Sequence, residues 1–517
     1  MAASSVPQEA AAIYSVRSVT QLVSASLGLA DALAQPQPNF AVIVSGNRII
    51  ETGSLEVLQA SHPDATSHVF DGMLLMPAMV NSHDHGRGFG NVSIGLDDDT
   101  LEIWLLVLRS QPAISPYLAA AYDGVRLLGS GVTLTAHSHN PLRWEDMHAE
   151  SEETLRGYRD AGIRVAFHPP VVDQNMLVYG NEVEFIAGLP SVEREIAERI
   201  RSASQLSHDD YFAICEALFA AHHDVKDGLV HIQVSPAGGQ WCSDALIEKA
   251  VHFAQKKQTR VQMHMLETRL QEQYALRKWG KSFIQHMDDI HALGPWLTLA
   301  HMIWVEPDDF ALLAERGVTI AHNPSSNLRV RSGIASLPQM AQAGIQVGIG
   351  LDGFALDEDQ DYLREMRMAW TLGNNRTNQP GTRSDPLSAQ TILHMGTYGS
   401  AQTTFGADTS LGRLAPGFLA DLVLVDLDFS PLDFVSDANG LKESLLRLAS
   451  RRHVRHVMTN GEWKVRDGKH THLNEAELQA EIVSQLKLQP RPGQHQSLKD
   501  AKMLAHYVRE FYSHWDS

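Results

Sequence analysis

The chain has 517 residues, of which 42 are Lys or Arg and 61 are Asp or Glu, so its formal charge is −19 at pH 7. This acidic balance argues against a nucleic-acid surface and against an anionic membrane surface, because both attract basic side chains. Hydrophobic residues make up 44% of the chain and charged residues 20%, an ordinary globular composition.

The cysteine count and the N-terminus indicate the compartment. The chain has 2 cysteines, Cys215 and Cys242, which are too few for a disulfide framework. Its N-terminus lacks the basic segment and apolar stretch of a secretory signal, and no apolar run reaches the roughly 18 residues of a membrane span. We therefore expect a cytoplasmic protein with no membrane partner.

The first and last parts of the chain carry short β-type runs separated by turn signals. In residues 13–72 the turn signals are Gly46-Asn47 and Gly53. In residues 411–470 the runs Leu422–Asp426 and His456–Thr459 precede Asn460-Gly461, a strong hairpin signal. We predict one composite β domain, a small β-sandwich built from both chain ends, residues 1–73 and 406–472.

Between these flanks, strand-length apolar runs alternate with helix-length segments. Such alternation favours an α/β protein with a (β/α)8 TIM barrel, here over residues 74–405. The eight runs are Leu74–Val80, Val132–Ala136, Arg164–Phe167, Val230–Val234, Arg260–Met263, Leu297–Ala300, Val318–Ala321 and Gln346–Ile349.

Two helical segments fall outside the regular alternation. The connection from about 172 to 228 has helical patterns at Val192–Arg201 and Tyr211–His222, which predict an insertion. A long insertion can act as a packing or subunit-contact element, or as a lid over the active site. Residues 473–517 predict a helical tail, which Pro490–Gly493 interrupts before a second helix over Leu498–Tyr512.

Histidines with metal-ligand spacing end the first apolar run, in the segment Asn81-Ser-His83-Asp-His85. On a strand, residues i and i+2 share a face, so His83 and His85 could bind one metal ion. With 26 histidines in the chain, chance alone gives about one such pair. The pairs His137/His139 and His470/His472 have the same spacing, and we interpret the latter as noise.

Further polar side chains follow three other predicted strands. His264 and Glu267 follow the fifth strand, His301 follows the sixth, and Asp352 follows the eighth. Barrel enzymes place their catalytic residues at this end of the strands. Four such sites at four strand ends make coincidence improbable.

These motifs resemble the amidohydrolase superfamily over about residues 40–470. They are most similar to its branch of aminohydrolases and chlorohydrolases that act on purines, pyrimidines and triazines. The matching segments are Leu75–His85, His264–Thr268, Ala300-His301, Asn323–Leu328, Gly350–Gly353 and Gly412–Asp426.

The resemblance implies a role for each matching residue. The implied metal ligands are His83, His85, His264 and Asp352, and the implied catalytic residues are Glu267, His301 and Asp352. Glu267 would carry protons to the leaving group, and His301 would polarise the substrate. Imidazoles with a carboxylate suit Zn²⁺ or Fe²⁺, of which we expect zinc. A bound metal would lower the pKa of its water towards about 7, and Asp352 could accept the proton.

The number of metal ions depends on the fourth strand. Two-metal members of the superfamily carry a carboxylated lysine there. The fourth strand of this chain, His231–Ala237, contains no lysine, so we expect one divalent ion per chain.

The same comparison bears on the substrate. Adenosine-type deaminases of this branch have a histidine at the position of Ala237, and guanine deaminases have an arginine in the following loop. This chain has neither, so a common purine is less expected. The candidates for substrate contact are Gln240, Trp241, Arg87, His139, Trp104 and Asn323.

Alternatives stay open for most of these pocket residues. Glu102 and Trp104 form a Glu-x-Trp pair that contacts substrate hydroxyls in some relatives, although the Trp could simply pack inward. Arg87, like Arg329 and Arg331, could hold a substrate carboxylate or be a solvated loop charge. His139 could equally be structural.

The leading hypothesis is a metal-dependent hydrolase that attacks a heterocyclic or amidine-like carbon and releases ammonia or an amine. A desulfhydrase or dechlorinase acting on a thio- or halo-heterocycle could use the same site. A non-catalytic member of the superfamily is disfavoured because every ligand is present. A cupin-type barrel also uses a His-x-His motif, but it needs a glutamate a few residues further on. It is disfavoured because Gly-Arg-Gly-Phe-Gly follows His85. We expect a small-molecule substrate, no nucleic-acid partner and a homo-oligomer.

Overall fold

The computed structural model describes residues 20–515 apart from residues 95, 204–205, 225–227, 354–358, 376–385, 430–437 and 489–490. Residues 1–19 of the expected β domain lie outside the described residues. Within the described part of the chain, none of the helices combines the length and apolarity needed to cross a bilayer.

The strands fall into an N-terminal group, a central group and a C-terminal group. They are β1 (Thr20–Gly28), β2 (Gln37–Ser45), β3 (Arg48–Ser54), β4 (Thr66–Pro77), β5 (Met79–Asp84), β6 (Val132–Ser138), β7 (Arg164–His168), β8 (Pro170–Val171), β9 (Val230–Ile232), β10 (Ser235–Pro236), β11 (Val261–Met265), β12 (Leu297–His301), β13 (Thr319–His322), β14 (Val347–Ile349), β15 (Leu422–Asp426), β16 (Val454–Thr459), β17 (Glu462–Arg466) and β18 (Lys469–His470).

Most helices connect the central strands. They are α1 (Leu55–Ser61), α2 (Leu101–Leu108), α3 (Pro116–Gly129), α4 (Met147–Ala161), α5 (Glu182–Gly188), α6 (Ser191–Ser202), α7 (His208–His222), α8 (Asp244–Lys257), α9 (Arg269–Trp279), α10 (Phe283–Asp289), α11 (Asp309–Arg316), α12 (Pro324–Arg329), α13 (Leu337–Gln342), α14 (Tyr362–Gly373), α15 (Ala389–Gly396), α16 (Tyr398–Phe405), α17 (Ala438–Leu448), α18 (Glu475–Leu488) and α19 (Arg491–Ser513).

Both ends of the chain contribute to one sheet. Its strand order is β18-β17-β16-β15-β4-β1-β2-β3, and β15 pairs antiparallel with β4. The predicted Asn460-Gly461 turn joins β16 to β17, and both residues have positive φ, 54° and 78°. A Cβ on Gly461 would lie 2.0 Å from the carbonyl oxygen of Gly46, so only glycine fits where the two hairpin turns meet.

The central strands form two parallel sheets, β5-β6-β7-β9 and β11-β12-β13-β14. A parallel bridge between Val234 and Val261 continues the pairing from the first sheet to the second. The strands are almost fully buried, as expected for parallel strands covered by helices on one face. The result is a mixed α/β fold.

The predicted first central strand, Leu74–Val80, has wrong bounds. Leu74 to Pro77 belong to β4 of the other sheet, where they pair with β15. The central strand is β5, which pairs with β6. The apolar run continues through both strands because each is buried, so the sequence pattern does not mark the passage between sheets.

The insertion and the tail have more helix than predicted. Three helices, α5, α6 and α7, lie between β8 and β9, and α5 was not anticipated. In the tail, α19 begins at Arg491, so Arg491–Gly493 are helical, while Pro490 lies outside the described residues. Proline is tolerated in the first turn of a helix, where its missing N–H costs little. The helix α19 packs against α2 and α6.

Candidate active site

Four potential metal ligands meet at the carboxyl ends of the central strands. One ligand atom from each of His83, His264, His301 and Asp352 lies within 4.8 Å of the others. His83 is the last residue but one of β5, His264 lies in β11, His301 ends β12, and Asp352 follows β14. The predicted residues are therefore brought together, with His301 inside the group.

His85 lies beside the same group. Its Nε2 atom is 3.0 Å from Asp352 Oδ1, and the Nε2 atom of His83 is 3.1 Å from the same oxygen. The Nε2 atoms of His85 and His264 are 3.4 Å apart. Five side chains thus converge on a single point.

Each imidazole is oriented through its Nδ1 atom. The acceptors are Gln262 Oε1 for His83 (2.7 Å), Ser138 O for His85 (2.8 Å), Ala237 O for His264 (2.6 Å) and Asn327 Oδ1 for His301 (2.9 Å). An oxygen acceptor fixes the proton on Nδ1, so each Nε2 keeps a lone pair for a metal ion.

Contacts between β5 and the end of β14 place Asp352 against His83. The Asp352 amide donates to the carbonyl of His83 (3.0 Å), and the Leu351 amide donates to Asn81 Oδ1 (2.9 Å). A Cβ on Gly350 would lie 2.8 Å from the same His83 carbonyl and 2.3 Å from Asn323 Oδ1. The glycine therefore permits the close approach of the two strand ends.

Several backbone segments of the site adopt the left-handed conformation. The φ angles of Leu266, His301, Met302 and Asp352 are 51°, 76°, 48° and 59°. Side chains other than glycine rarely adopt this conformation, and such strain is concentrated at functional sites. The surrounding contacts hold these residues in place at a cost in stability.

The pKa values of the two carboxyls of the site are shifted in opposite directions. Burial raises the pKa of Glu267 well above its usual range, and the nearby charges of Asp352 and Glu102 raise it further. Burial alone would raise the pKa of Asp352 too, but His301, His83 and His85 hold it well below its usual range. The surroundings thus favour the ionised form of Asp352 and the protonated form of Glu267.

The donor set fits a divalent metal ion. Among the described residues, the buried atoms His83 Nε2, His301 Nε2 and Asp352 Oδ1 make no hydrogen bond of regular geometry. Buried polar atoms normally have a hydrogen-bond partner. Acceptor atoms that converge on one point without such a partner indicate a bound cation. Imidazole nitrogens and a carboxylate oxygen are typical zinc ligands. The group is a site for one divalent ion, with zinc as the best fit.

A cavity of about 240 Å³ opens onto this group. Its wall is mainly apolar and aromatic, as in most small-molecule sites. The lining residues are His85, Arg87, Leu101, Trp104, Leu105, Leu108, Arg109, Gln111, Asn140, Pro141, Trp144, Pro170, Val172, Met176, Ala237, Trp241, His264, Glu267, His301, Ser326, Val330 and Asp352.

Three of the six predicted substrate contacts lie in this wall, namely Arg87, Trp104 and Trp241. The Arg87 guanidinium lies over the Trp104 ring, 5.3 Å from its centroid. His139 lines a smaller adjoining cavity instead, and its Nε2 atom is 3.8 Å from Glu150 Oε2.

Gln240 and Asn323 are not among the described lining residues. Both are fully buried, and Asn323 Nδ2 lies 3.3 Å from His301 Nδ1. Gln240 was a candidate through its place in the loop after the fourth strand and Asn323 through its family-matching segment, but the structure places Asn323 behind a site residue.

Two other predicted candidates have structural partners. Arg329 forms a bidentate pair with Asp98, at 3.1 and 2.8 Å. Glu102 is buried and accepts hydrogen bonds from Thr268 Oγ1 (2.6 Å) and Tyr179 OH (3.1 Å). Neither lines the described part of the cavity.

Sequence reasoning missed most of the apolar wall. Leu101, Leu105 and Leu108 come from one face of α2, and Met176 comes from the start of the insertion. The spacing of the leucines marks a buried helix face but does not tell whether that face meets a core or a cavity. The insertion thus contributes to the wall through its first residues, while its helix α6 contacts α19.

Comparisons with known proteins agree with this geometry. The model of the amidohydrolase family matches residues 74–464. The 5'-deoxyadenosine deaminase of Methanopyrus kandleri is 28% identical over 414 residues, covering 78% of this chain and 84% of the relative. The 5-methylthioadenosine/S-adenosylhomocysteine deaminase of Thermodesulfovibrio yellowstonii is 26% identical over 456 residues, covering 85% and 92%.

Solved structures share the fold. A zinc-bound adenosine deaminase from Xanthomonas campestris has a TM-score of 0.74 at 23% identity, covering 91% of this chain and 98% of that one. Atrazine chlorohydrolase from Arthrobacter aurescens, complexed with zinc, has a TM-score of 0.75 at 21% identity, covering 90% and 99%.

The fold and the site together define a metal-dependent hydrolase. The chain belongs to the amidohydrolase family, and its similarity to deaminases indicates a hydrolase that acts on carbon–nitrogen bonds. This confirms the family, the class of enzyme and the single metal ion that the sequence predicted.

Proposed function

We propose that this amidohydrolase deaminates a heterocycle by hydrolysis at an amine-bearing ring carbon. The observation that carries the proposal is the position of Glu267. Its Oε2 atom lies 3.7 Å from His301 Nε2, at the wall of the cavity and beside the metal group. A buried, protonated carboxyl in this position can supply the proton that an amine needs to leave. The deaminase names of the relatives support the same reaction.

The metal ion would be held by His83, His85, His264 and Asp352, and when bound it supplies a water of lowered pKa as the nucleophile. Asp352, the ionised carboxylate of the pair, is placed to take the proton of that water. His301 faces both Glu267 and Asp352, so in its protonated form its Nε2–H would steady the negative charge that develops on the ring. Glu267 protonates the departing amine.

The substrate that fits best is a flat, largely apolar heterocycle rather than a purine nucleoside. Ala237 presents a methyl group at the wall where adenosine-type deaminases have an imidazole. The Glu102 carboxylate, which could otherwise meet sugar hydroxyls, is engaged by Thr268 and Tyr179. Trp104 and Trp241 offer aromatic faces for stacking. These departures support a substrate different from those named for the relatives.

The architecture that we propose is a barrel with a composite β domain. The bridge between Val234 and Val261 and the contact of Asp352 with His83 support closure of the parallel strands into a (β/α)8 barrel over residues 74–405. The eight-stranded sheet supports a domain formed by residues 1–73 and 406–472, with 473–517 as a helical tail. A β-sandwich form of this domain and an insertion at 172–228 complete the proposal.

We also propose a cytoplasmic homo-oligomer. Cys215 and Cys242 are buried free thiols, which suits a reducing compartment. The exposed side chains of Val183 and Val192, on the insertion, offer apolar area for a subunit contact.

The test is a turnover screen on purified enzyme of known zinc content. Amino-, thio- and chloro-substituted pyrimidines and triazines are offered, and ammonia, sulfide and chloride are assayed in parallel. Ammonia is the expected product. Sulfide or chloride without ammonia would replace the proposed deaminase with a desulfhydrase or dechlorinase at the same site.

A further inference from the structure

A chain of buried hydrogen bonds connects the C-terminal helix to the residue that follows Glu267. The Tyr179 amide donates to the Tyr512 hydroxyl of α19 (2.9 Å), and the Tyr179 hydroxyl donates to Glu102 Oε1 (3.1 Å). The Thr268 hydroxyl donates to the same oxygen at 2.6 Å. All four side chains are less than a tenth exposed. The insertion and the Glu267 loop thus meet at the Glu102 carboxylate of α2, and the tail is connected to it through Tyr179.

The Thr268 hydroxyl does not have its usual role. Thr268 is the N-cap residue of α9, where a threonine side chain normally accepts a hydrogen bond from the first turn of the helix. Within this fully described helix, the side chain makes no such cap. Its hydroxyl instead donates across the fold to Glu102, so it serves a tertiary contact and not the helix.

The main chain around Glu267 needs such support. The preceding residue, Leu266, has φ of 51°, a conformation that a leucine rarely adopts. The amides of Ile303 and Trp304 hold the Leu266 carbonyl from one side, each at 3.0 Å. The Glu267 amide donates to Gln271 Oε1 at 2.9 Å. On the other side of Glu267, the Thr268 hydroxyl is held by Glu102.

We propose that Glu102 is a positioning residue for Glu267, acting through Thr268, and that Tyr179 and Tyr512 fix Glu102 from the insertion and the C-terminal helix. The inference rests on the proposed function, because it assigns a use to the position of Glu267. If Glu267 lost this support, the protein would still fold, but the Glu267 carboxyl would be displaced from the leaving group. Proton transfer requires hydrogen-bond distance, so it would no longer occur efficiently.

The first experiment measures steady-state kinetics of the zinc-loaded full chain on the best substrate of the screen. Thr268→Val removes the hydroxyl but preserves the shape, and Thr268→Ser restores the hydroxyl. We expect Thr268→Val to lower kcat by about tenfold or more, with KM and zinc content close to wild type. Thr268→Ser should recover most of the loss. A rise in KM alone, or no rescue by serine, would overturn the proposal.

A double variant shows whether the effect passes through Glu267. In the Glu267→Gln background, Thr268→Val should cause little further loss, because the residue that it positions no longer transfers protons. A Thr268→Val effect that multiplies with that of Glu267→Gln would contradict an action through Glu267.

A second measurement needs no substrate. Hydrogen exchange of the zinc-loaded full chain follows the amides of residues 266–271. Tyr512→Phe removes the acceptor of the Tyr179 amide, and we expect faster exchange in this segment. Tyr507→Phe, on the same helix, is the matched control and should leave the segment unchanged.

The two measurements separate the two proposals. Unchanged exchange in Tyr512→Phe, or equal acceleration in both variants, would overturn the coupling of the tail to the site. If no substrate releases ammonia while Tyr512→Phe alone loosens the segment, the proposed function fails and the coupling stands.

Discussion

At the scale of single residues, the site depends on how its imidazoles are held. His264 illustrates the point, because the Ala237 carbonyl accepts from its Nδ1 atom at 2.6 Å and so directs Nε2 towards the metal group. Its ring also stacks on the rings of His85 and His301, with centroids 5.4 Å away in each case. A ligand oriented by two kinds of contact loses little entropy on binding metal.

Replacing His264 by Ala should therefore remove the metal ion, since one Nε2 donor and the stacking partner of two others are lost. Metal content per chain, measured by plasma emission spectrometry after gel filtration, is expected to fall well below one. His231→Ala is the matched control, because His231 lies in β9 away from the group and should retain the metal. Full metal content in His264→Ala would refute its role as a ligand.

Glu267 is the residue on which the proposed proton transfer depends. Glu267→Gln keeps the shape and the hydrogen-bonding capacity of the side chain but cannot give up a proton in the same way. We expect turnover to fall by about 10²-fold or more with full metal content. Glu272→Gln, at a buried glutamate in the first turn of α9, should stay within a few-fold of wild type. Near wild-type turnover of Glu267→Gln would exclude it as the proton donor.

The candidate metal ligands could be named because the family resemblance assigns them to residues at predicted strand ends. His83 and His85 share one strand end, and the strands that end near His264, His301 and Asp352 are marked by apolar runs. The cavity wall could not be predicted in the same way. Trp104 was found only through a motif, and Leu101, Leu105 and Met176 were missed because tertiary packing decides which apolar face meets a cavity.

At the scale of elements, one buried ion pair joins the two kinds of sheet. Arg164, at the start of β7, makes a bidentate contact with Asp421, which precedes β15, and both distances are 3.0 Å. Neither side chain is more than 1% exposed. The Asn460 amide of the hairpin turn also donates to Asp421 Oδ1, at 2.9 Å. The pair thus ties the parallel sheet to the sheet built from the chain ends.

Asp421→Asn should destabilise the protein by about 3–5 kcal/mol, because it leaves the Arg164 charge buried without its counter-ion. The change is measured as a fall in unfolding temperature. A double variant, Arg164→Met with Asp421→Leu, removes both charges and should be more stable than the single variant. If the single variant unfolds at the wild-type temperature, the ion pair between the sheets contributes no net stability.

The passage of the chain from β4 to β5 shows why the bounds of the elements were only partly predictable. The pattern of apolar runs found all eight strands of the two four-stranded parallel sheets, yet it assigned Leu74–Pro77 to the wrong sheet. Both sheets bury this part of the chain, one through pairing of β4 with β15 and the other through pairing of β5 with β6. An apolar run indicates that a strand is buried, but it does not indicate which strand pairs with it.

At the scale of the whole molecule, two kinds of buried titratable group have opposite effects on how stability depends on pH. Burial lowers the pKa of His231 and His322 to about 3. Because their pKa is depressed from 6.5 in the folded state, their contribution to stability is lost as pH falls below that value. Burial raises the pKa of Glu365 to about 8 and that of Glu272 to about 7. These carboxyls have the opposite effect, and the protein loses stability as pH rises.

Glu365 gives the sharpest test of the alkaline side. Its Oε1 accepts from the Ser325 amide at 2.9 Å, and the charges of Asp352 and Asp359 add to the effect of burial. Since its pKa rises from 4.5 unfolded to about 8 folded, its contribution is complete below 4.5 and is lost through about pH 8. Each pH unit inside this window costs about 1.4 kcal/mol.

Glu365→Gln removes this dependence, because an amide cannot ionise. The difference in unfolding temperature, variant minus wild type, should therefore grow in favour of the variant as pH rises from about 5 to about 8. Scanning calorimetry at several pH values in this range measures it, with the exposed Glu248→Gln as the matched control. A difference that stays constant across the range would mean that Glu365 is ionised in the folded protein, and that the interior beside the site tolerates a second negative charge.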